Sequence, residues 1–290
     1  MSFATPASGV RNPARHAHIV DVLIAERAPK LAGNAVWPLL RPLIYAFLDY
    51  GKARRMADAI ADLSGPEALD HVMGLLVLKV TAQGLAQLPR QGRCIVVCNH
   101  PTGIADGVAV FEALRAIRSD LSFYANADAH RVCRRFDEVL VPVEWVEEKR
   151  TRERMRTTLT LTRDALEADR CLVIFPAGRI SRRQADGTLR DKAWMTSAVT
   201  IARRYEVPIL PLHVSGPWSR LFHLFHGFSG ELRDVTLFHE LLNKRGQAFA
   251  LTAGPLIPSL AIEGDPATVT ARLQAYVERD LPGDHRRAFA

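Results

Sequence analysis

Hydrophobic and polar positions change rhythm along the chain, and each rhythm predicts a different kind of element. Residues 1–17 are polar and carry few structure-forming signals, so a loose arm is expected there. Residues 18–30 and then 35–63 read as helices, the second stretch pairing Trp37, Leu39, Leu40, Leu43, Ile44, Tyr45, Phe47 and Leu48 with Lys52, Arg54 and Arg55. From 72 onward short apolar runs alternate with helical segments. "VMGLLVLKVTAQG" (72–84) reads as β-like, "CIVVCN" as a short buried strand and "GVAVFEALRAI" as a helix. "SFYANAD" is a strand followed by a basic helix, then "VLVPVEW" a strand and "TTLTLTRDALEA" a helix. "CLVIFP" and "PILPLHVSG" are strands around the helix "WMTSAVTIARRYE"; a helix near 234–243, a strand "QAFALTAG" and a helix near 266–280 close the chain. Strands alternating with helices at this spacing predict an α/β fold, with a mostly parallel central sheet flanked by helices and an N-terminal helical hairpin. The division expected is 1–68 for the helical segment and 69–290 for the main domain.

The hairpin has two readings. Its apolar bulk followed by "KARR" (52–55) suits a segment lying in a membrane interface, with basic residues near anionic headgroups. That is the reading expected for 1–68; the alternative is a helix pair packed on the main domain. The most apolar window, "AVWPLLRPLIYAFL" (35–48), is too short to span a bilayer and contains Arg41 and two prolines.

Composition narrows the class. A chain of 290 residues, 48% apolar, can bury a substantial core. Its net charge of +7 comes largely from arginine, as in "RVCRR" (131–135), "KRTRERMR" (149–156) and "RISRR" (179–183). A basic surface points to anionic partners, although "EEKRTRERMR" mixes signs and also suits a solvated face. No nucleic-acid reading motif is present, so no nucleic-acid partner is expected. Cys94, Cys98, Cys133 and Cys171 have no ligand spacing and read as reduced core residues of a cytosolic protein.

The candidate chemistry sits where buried strands end, which is where open α/β sheets place function. "CIVVCN" runs into His100, and Asp106 and Gly107 open the next helix. Six helical steps would put His100 and Asp106 on different faces, and six extended residues would separate them by roughly 20 Å. If the two meet, the chain turns between them, and Pro101 and Gly103 favour such a turn. A neutral histidine is a general base, and a carboxylate fixes its tautomer. Alone, the pair is a weak signal, and a histidine that caps a helix by chance is the better reading. A second strand end, "CLVIFPAGRISRR", supplies Phe175, Pro176, Gly178, Arg179, Ser181 and Arg182: close backbone approach at the glycine, and arginines able to grip an anion. "FHLFHGF" offers His223 and His226 without a third ligand nearby, so aromatic loop packing or membrane contact is expected there and no metal.

"NHPTGIADG" and "FPAGRIS" together resemble the paired motifs of the PlsC-like glycerolipid acyltransferase superfamily, N-H-x-x-x-x-D and F-P-E-G-x-x-S. "GLAQLPRQGRCIVVCNH" resembles the lead-in to the first block and "VPILPLHVSG" the fourth, so the resemblance spans about residues 72–256. Five residues separate His100 from Asp106 where the family usually has four, and Ala177 stands where it has glutamate, with the arginine one place early at 179. Both features are similar to a hemolysin-like branch. The strand matching the second block offers Glu144 and Trp145 instead of the usual arginine.

The resemblance implies an O-acyltransferase that moves a fatty acyl group from acyl-ACP or acyl-CoA to the hydroxyl of a lyso-lipid. With no block-two arginine, a lyso-aminolipid such as lyso-ornithine lipid fits as well as a lysophospholipid. His100 and Asp106 are its implied catalytic dyad. Asn99, Gly103, Phe175, Pro176, Gly178, Arg179, Ser181 and Arg182 are its implied substrate-binding residues. No cofactor is implied beyond the donor, and the place implied is peripheral, on the inner face of the cytoplasmic membrane, against an anionic surface. The competing expectations are a thioesterase or lipid hydrolase, and a non-catalytic membrane- or acyl-carrier-binding protein.

Overall fold

The computed structural model describes residues 17–144, 151–184 and 186–290, so Trp145 lies outside the described residues. Among the described residues five helices come first: α1 (Ile19–Arg27), α2 (Pro29–Ala32), α3 (Trp37–Phe47), α4 (Tyr50–Ile60) and α5 (Gly65–Leu76). The helix α5 occupies the start of the stretch expected to be β-like. Its beginning is fixed upstream, where the Ser64 side chain accepts from Glu67 N and Glu67 accepts from Ser64 N. Such a capping box stabilises a helix by about 1 kcal/mol. Val77 in the left-handed region ends it, and only then does β1 (Lys79–Gln83) start.

The remaining elements are β2 (Cys94–Cys98), α6 (Ile104–Arg115), β3 (Leu121–Asn126), α7 (Ala129–Val132), β4 (Leu140–Val143), α8 (Arg152–Glu167) and β5 (Cys171–Ile174). After a two-strand hairpin, β6 (Arg182–Arg183) with β7 (Leu189–Arg190), come α9 (Ser197–Arg204) and β8 (Ile209–Ser215). The chain finishes with α10 (Arg220–Phe228), α11 (Gly230–Val235), α12 (Leu237–Leu242), β9 (Ala248–Ala253) and α13 (Pro266–Ala275). The aromatic stretch expected as a loop is therefore the helix α10. Its cap is Ser219, whose side chain accepts from Phe222 N.

Seven strands form one sheet in the order β1-β9-β8-β2-β5-β3-β4. Every neighbouring pair is parallel except β8 with β9. Alternation along β2 sends Cys94, Val96 and Cys98 to one face and Ile95 and Val97 to the other, giving two apolar layers. Parallel strands covered on both faces read as unbroken apolar runs, which is how "CIVVC" and "CLVI" appear. All four cysteines are buried and unbridged.

The N-terminal helices belong to the first layer. Val20, Ile24, Ala53, Met56, Ala57 and Ile60 join the same cluster as Cys98, Phe111 and Leu212. A boundary at 68/69 falls inside α5. The helix α3 behaves differently: Trp37, Ile44 and Tyr45 turn inward, whereas Leu39, Leu43 and Phe47 are 74%, 71% and 65% exposed. Among the described residues no helix is long and apolar enough to cross a membrane.

Candidate active site

The strands β2 and β5 are neighbours in register, Val97 opposite Ile174. His100 and Ala177 each follow three residues later, so the two loops emerge side by side at the carboxyl edge of the sheet. A backbone hydrogen bond from Ser181 N to His100 O, 2.8 Å, ties them together.

The turn between His100 and Asp106 is made at Gly103. Its φ of 93° and ψ of −141° are open to glycine and strained for other residues. A Cβ there would lie 2.8 Å from Ile180 Cδ1 in the facing loop. Asp106 then enters the first turn of α6 and folds back. Its carboxylate accepts from Thr102 N (2.8 Å), Gly103 N (3.0 Å) and Thr102 Oγ1 (2.6 Å). The side chain is 0% exposed, and the helix N-terminus also favours its charge. His100 Nδ1 lies 3.0 Å from Asp106 Oδ2. That nitrogen is buried, and its N–H is not straight on the carboxylate. The ring keeps 19% of its surface exposed, and with Nδ1 buried its open edge carries Nε2. Phe175 supports the ring from below, 4.6 Å between centroids.

The other residues singled out in the sequence fall into two groups. Asn99 is buried, with its amide bonded at both ends to the backbone of Val214: Nδ2 donates to Val214 O (2.9 Å) and Val214 N donates to Oδ1 (2.6 Å). It extends the β2–β8 pairing and holds His100 at the sheet edge. Pro176 O accepts from Met195 N, and Gly178, at φ 61°, closes the loop by donating to Phe175 O. Arg179 is exposed at the loop tip, and Arg182 is half-buried on β6. The fourth block also reaches the site: a Cβ on Gly216 would meet Thr102 Cγ2 at 2.9 Å.

Two groups were invisible in the sequence. Asp191, buried, accepts from His100 N (3.1 Å to Oδ2), from Trp194 Nε1 (2.9 Å) and from Ser181 Oγ. It pins both loops through one carboxylate. Burial pushes its pKa above the ordinary aspartate range, against the donated hydrogen bonds and the neighbouring His100. Lys244, 3% exposed, lies 3.4 Å from the equally buried Glu240, which also accepts from Ser219 Oγ. Burial pulls the Lys244 ammonium below its ordinary range, while Glu240 and Asp106 support its charge. Aspartate and lysine this far from the motifs carry no local signal; only "D-x-x-W" at 191–194 hints at a fixed contact.

His223 lies on α10 with Trp218 and Phe222 ring-edge on it. Among the described residues, no three His, Cys, Asp or Glu side chains gather where they could hold a metal ion. A buried carboxylate beside a partly open histidine is an arrangement able to serve as a general base.

Comparison with known proteins points the same way. The family description "Acyltransferase" matches residues 79–215. A lyso-glycine lipid O-acyltransferase of Phocaeicola vulgatus is 29% identical over 200 residues, 67% of this chain and 70% of that protein. A second protein of that name, from Bacteroides thetaiotaomicron, is 27% identical over 203 residues, 68% of this chain and 72% of the other. The crystal structure of the 1-acyl-sn-glycerophosphate (LPA) acyltransferase PlsC from Thermotoga maritima aligns over 93% of this chain and 99% of its own, with a TM-score of 0.46 and 14% identity. That looser likeness bears on neither substrate nor site. The matched region contains both strand ends and the His100–Asp106 pair, and over these residues the chain is similar to acyltransferases.

Proposed function

We propose that the protein transfers a fatty acyl group from a thioester donor, acyl-ACP or acyl-CoA, to the hydroxyl of a lyso-aminolipid such as a lyso-glycine or lyso-ornithine lipid. The observation that carries this reading is His100 Nδ1, 3.0 Å from a wholly buried Asp106, with the opposite ring edge open. Nε2 takes the proton from the acceptor hydroxyl as its oxygen attacks the thioester carbon. Asp106 holds the tautomer and stabilises the imidazolium. The tetrahedral intermediate then expels the thiolate, which leaves with the proton from Nε2, and an ester remains. General-base help of this kind accelerates a reaction by about 10²–10⁴-fold. The choice of an aminolipid acceptor is supported by the names of the two relatives and by Glu144, where the second block would carry an arginine.

The acceptor resides in a bilayer, and the exposed row Leu39, Leu43 and Phe47 followed by exposed Arg54 and Arg55 supports docking at an anionic membrane surface. Phe47 stacks near His239 of α12, 6.2 Å between centroids, and α12 in turn packs on α6. The apolar row is therefore one helix away from the dyad.

The decisive assay supplies purified protein with acyl-ACP or acyl-CoA carrying a labelled acyl chain and with lyso-glycine lipid vesicles. Label should appear in the diacylated lipid, and His100→Ala and Asp106→Asn should each lower that rate at least about a hundredfold while the protein stays folded. Label released only as free fatty acid would establish a thioesterase instead. A His100→Ala protein that still turns over normally would remove the dyad from the mechanism.

A further inference from the structure

The backbone of His100 is gripped at both of its peptide groups. Asp191 accepts from His100 N through both oxygens, Oδ1 at 3.2 Å and Oδ2 at 3.1 Å. Ser181 N donates to His100 O at 2.8 Å. The circle closes because Ser181 Oγ donates to Asp191 Oδ1. From outside the circle, Trp194 Nε1 donates to Asp191 Oδ2 at 2.9 Å. Ser181 is 2% exposed and Asp191 8%, so both side chains are spent inside the protein.

This clamp is tied in turn to the end of the chain. Asp191 N donates to Glu278 Oε1 at 2.8 Å. Glu278 stands in a π-helical turn, Tyr276–Asp280, that continues α13. In the same turn Val277 O accepts from His213 Nδ1 of β8 at 2.9 Å, and Gln274 Oε1 of α13 accepts from Trp194 N at 3.1 Å. The strand β8 pairs with β2, which delivers His100.

A contact that merely closes a loop needs one acceptor. Here three donors converge on one carboxylate, and both oxygens are in use; an amide in its place would turn an N–H towards one of the donors. Burying a carboxylate is costly, which singles out the few positions where one is kept. Asp106 sets the imidazole ring, whereas Asp191 and Ser181 set the backbone that carries it. Misplacing a reacting group by about 1 Å can cost about 10²-fold in rate.

We propose that Asp191 is a positioning residue for acyl transfer: with Ser181 it fixes the backbone of His100 so that Nε2 meets the acceptor hydroxyl, and Glu278 of the C-terminal turn holds Asp191 in place. The role rests on the acyl-transfer reading; the clamp itself rests only on the hydrogen bonds above. Asp191 and Glu278 act through His100 and not on a substrate, so they govern the chemical step and leave binding alone.

The test uses the full-length protein. Amide hydrogen exchange, resolved at His100 by fragmentation mass spectrometry, needs no turnover; kcat and KM come from the labelled-acyl assay. Asp191→Asn should speed exchange at the His100 amide by about tenfold or more. It should lower kcat by about ten- to a hundredfold, with KM moving by less than about twofold. Adding Trp194→Phe removes the N–H that would face the new amide and should return part of kcat. Glu278→Ala, at a half-buried position, should give the same pattern more weakly, and Glu278→Gln, which keeps the acceptor, should stay close to the parent. If Asp191→Asn does not melt cooperatively, the two Glu278 variants decide. A parent protein that transfers no acyl group ends the enzymatic reading and the role within it, whereas faster His100 exchange in Asp191→Asn and Glu278→Ala would still uphold the clamp. Unchanged exchange and kcat in a cooperatively melting Asp191→Asn overturn the proposal. So does a raised KM with kcat intact, which would put Asp191 in substrate binding.

Discussion

At the scale of single residues, two positions carry consequences out of proportion to their size. Gly103 combines a glycine-only backbone with a facing side chain 2.8 Å from any Cβ. Gly103→Ala should therefore cost about 1–3 kcal/mol of stability. It should also depress kcat, because the same turn carries two of the N–H groups that hold Asp106. A substitution with unchanged denaturation midpoint and unchanged kcat would show that the loop relaxes freely. Lys244 is the second. Removing it alone, as Lys244→Met, leaves Glu240 buried without its cation and should destabilise by about 3–5 kcal/mol, whereas Lys244→Met with Glu240→Leu should recover most of the loss. Because burial lowers the folded-state pKa of Lys244 below its ordinary 10.5, the unfolded chain holds that proton more tightly than the folded one. Its contribution therefore makes stability rise as pH climbs from the folded value towards 10.5. The rise, read from urea midpoints between pH 7.5 and 9.5, should be smaller in the double variant than in the parent; identical slopes would place the lysine's influence elsewhere.

At the scale of elements, α3 presents an exposed apolar row of Leu39, Leu43 and Phe47. Leu39→Asp with Leu43→Asp changes two side chains that are 74% and 71% exposed, so melting should move little. Co-sedimentation with anionic vesicles should fall steeply, and wild-type binding should weaken with salt, each basic residue near the surface contributing about 1 kcal/mol. Retained sedimentation in the double variant would assign membrane contact to another face. The legibility of elements in the sequence follows the same physics. Strands β2 and β5 were readable because burial on both faces leaves a short unbroken apolar run. The start of "VMGLLVLKV" was not, since apolar and β-branched residues in a row have no period; what decides is the capping box at Ser64 and Glu67, several residues upstream. The helix α10 was missed because aromatic residues mask its 3.6-residue stripe, and its signal too is the cap, Ser219. Within the site, His100 and Asp106 were readable because the chain between them is short. Asp191 reaches His100 across 91 residues, and Lys244 comes from the turn after α12; only the folded topology brings them in.

At the scale of the whole molecule, the N-terminal helices are both core and surface. Since Val20, Ile24, Met56 and Ile60 pack in the same layer as the sheet, deleting residues 1–60 should expose that layer and yield an aggregating protein, not a folded domain that has merely lost its membrane contact. A truncated chain that is monomeric and melts cooperatively would show that the sheet stands alone. The sheet has a further consequence, in time instead of space. Its first strand pairs with its last: Gln83 meets Thr252 across 169 residues, and Asn99 meets Val214 across 115. On the ribosome, β1 and the helices before it emerge long before β9 exists, so their apolar faces wait uncovered while most of the chain is still being made. Pairings this distant in sequence slow folding and lengthen exposure to wrong partners. Synthesis ought to be the vulnerable stage in this protein's life, with the C-terminal strand as the piece whose arrival ends the risk.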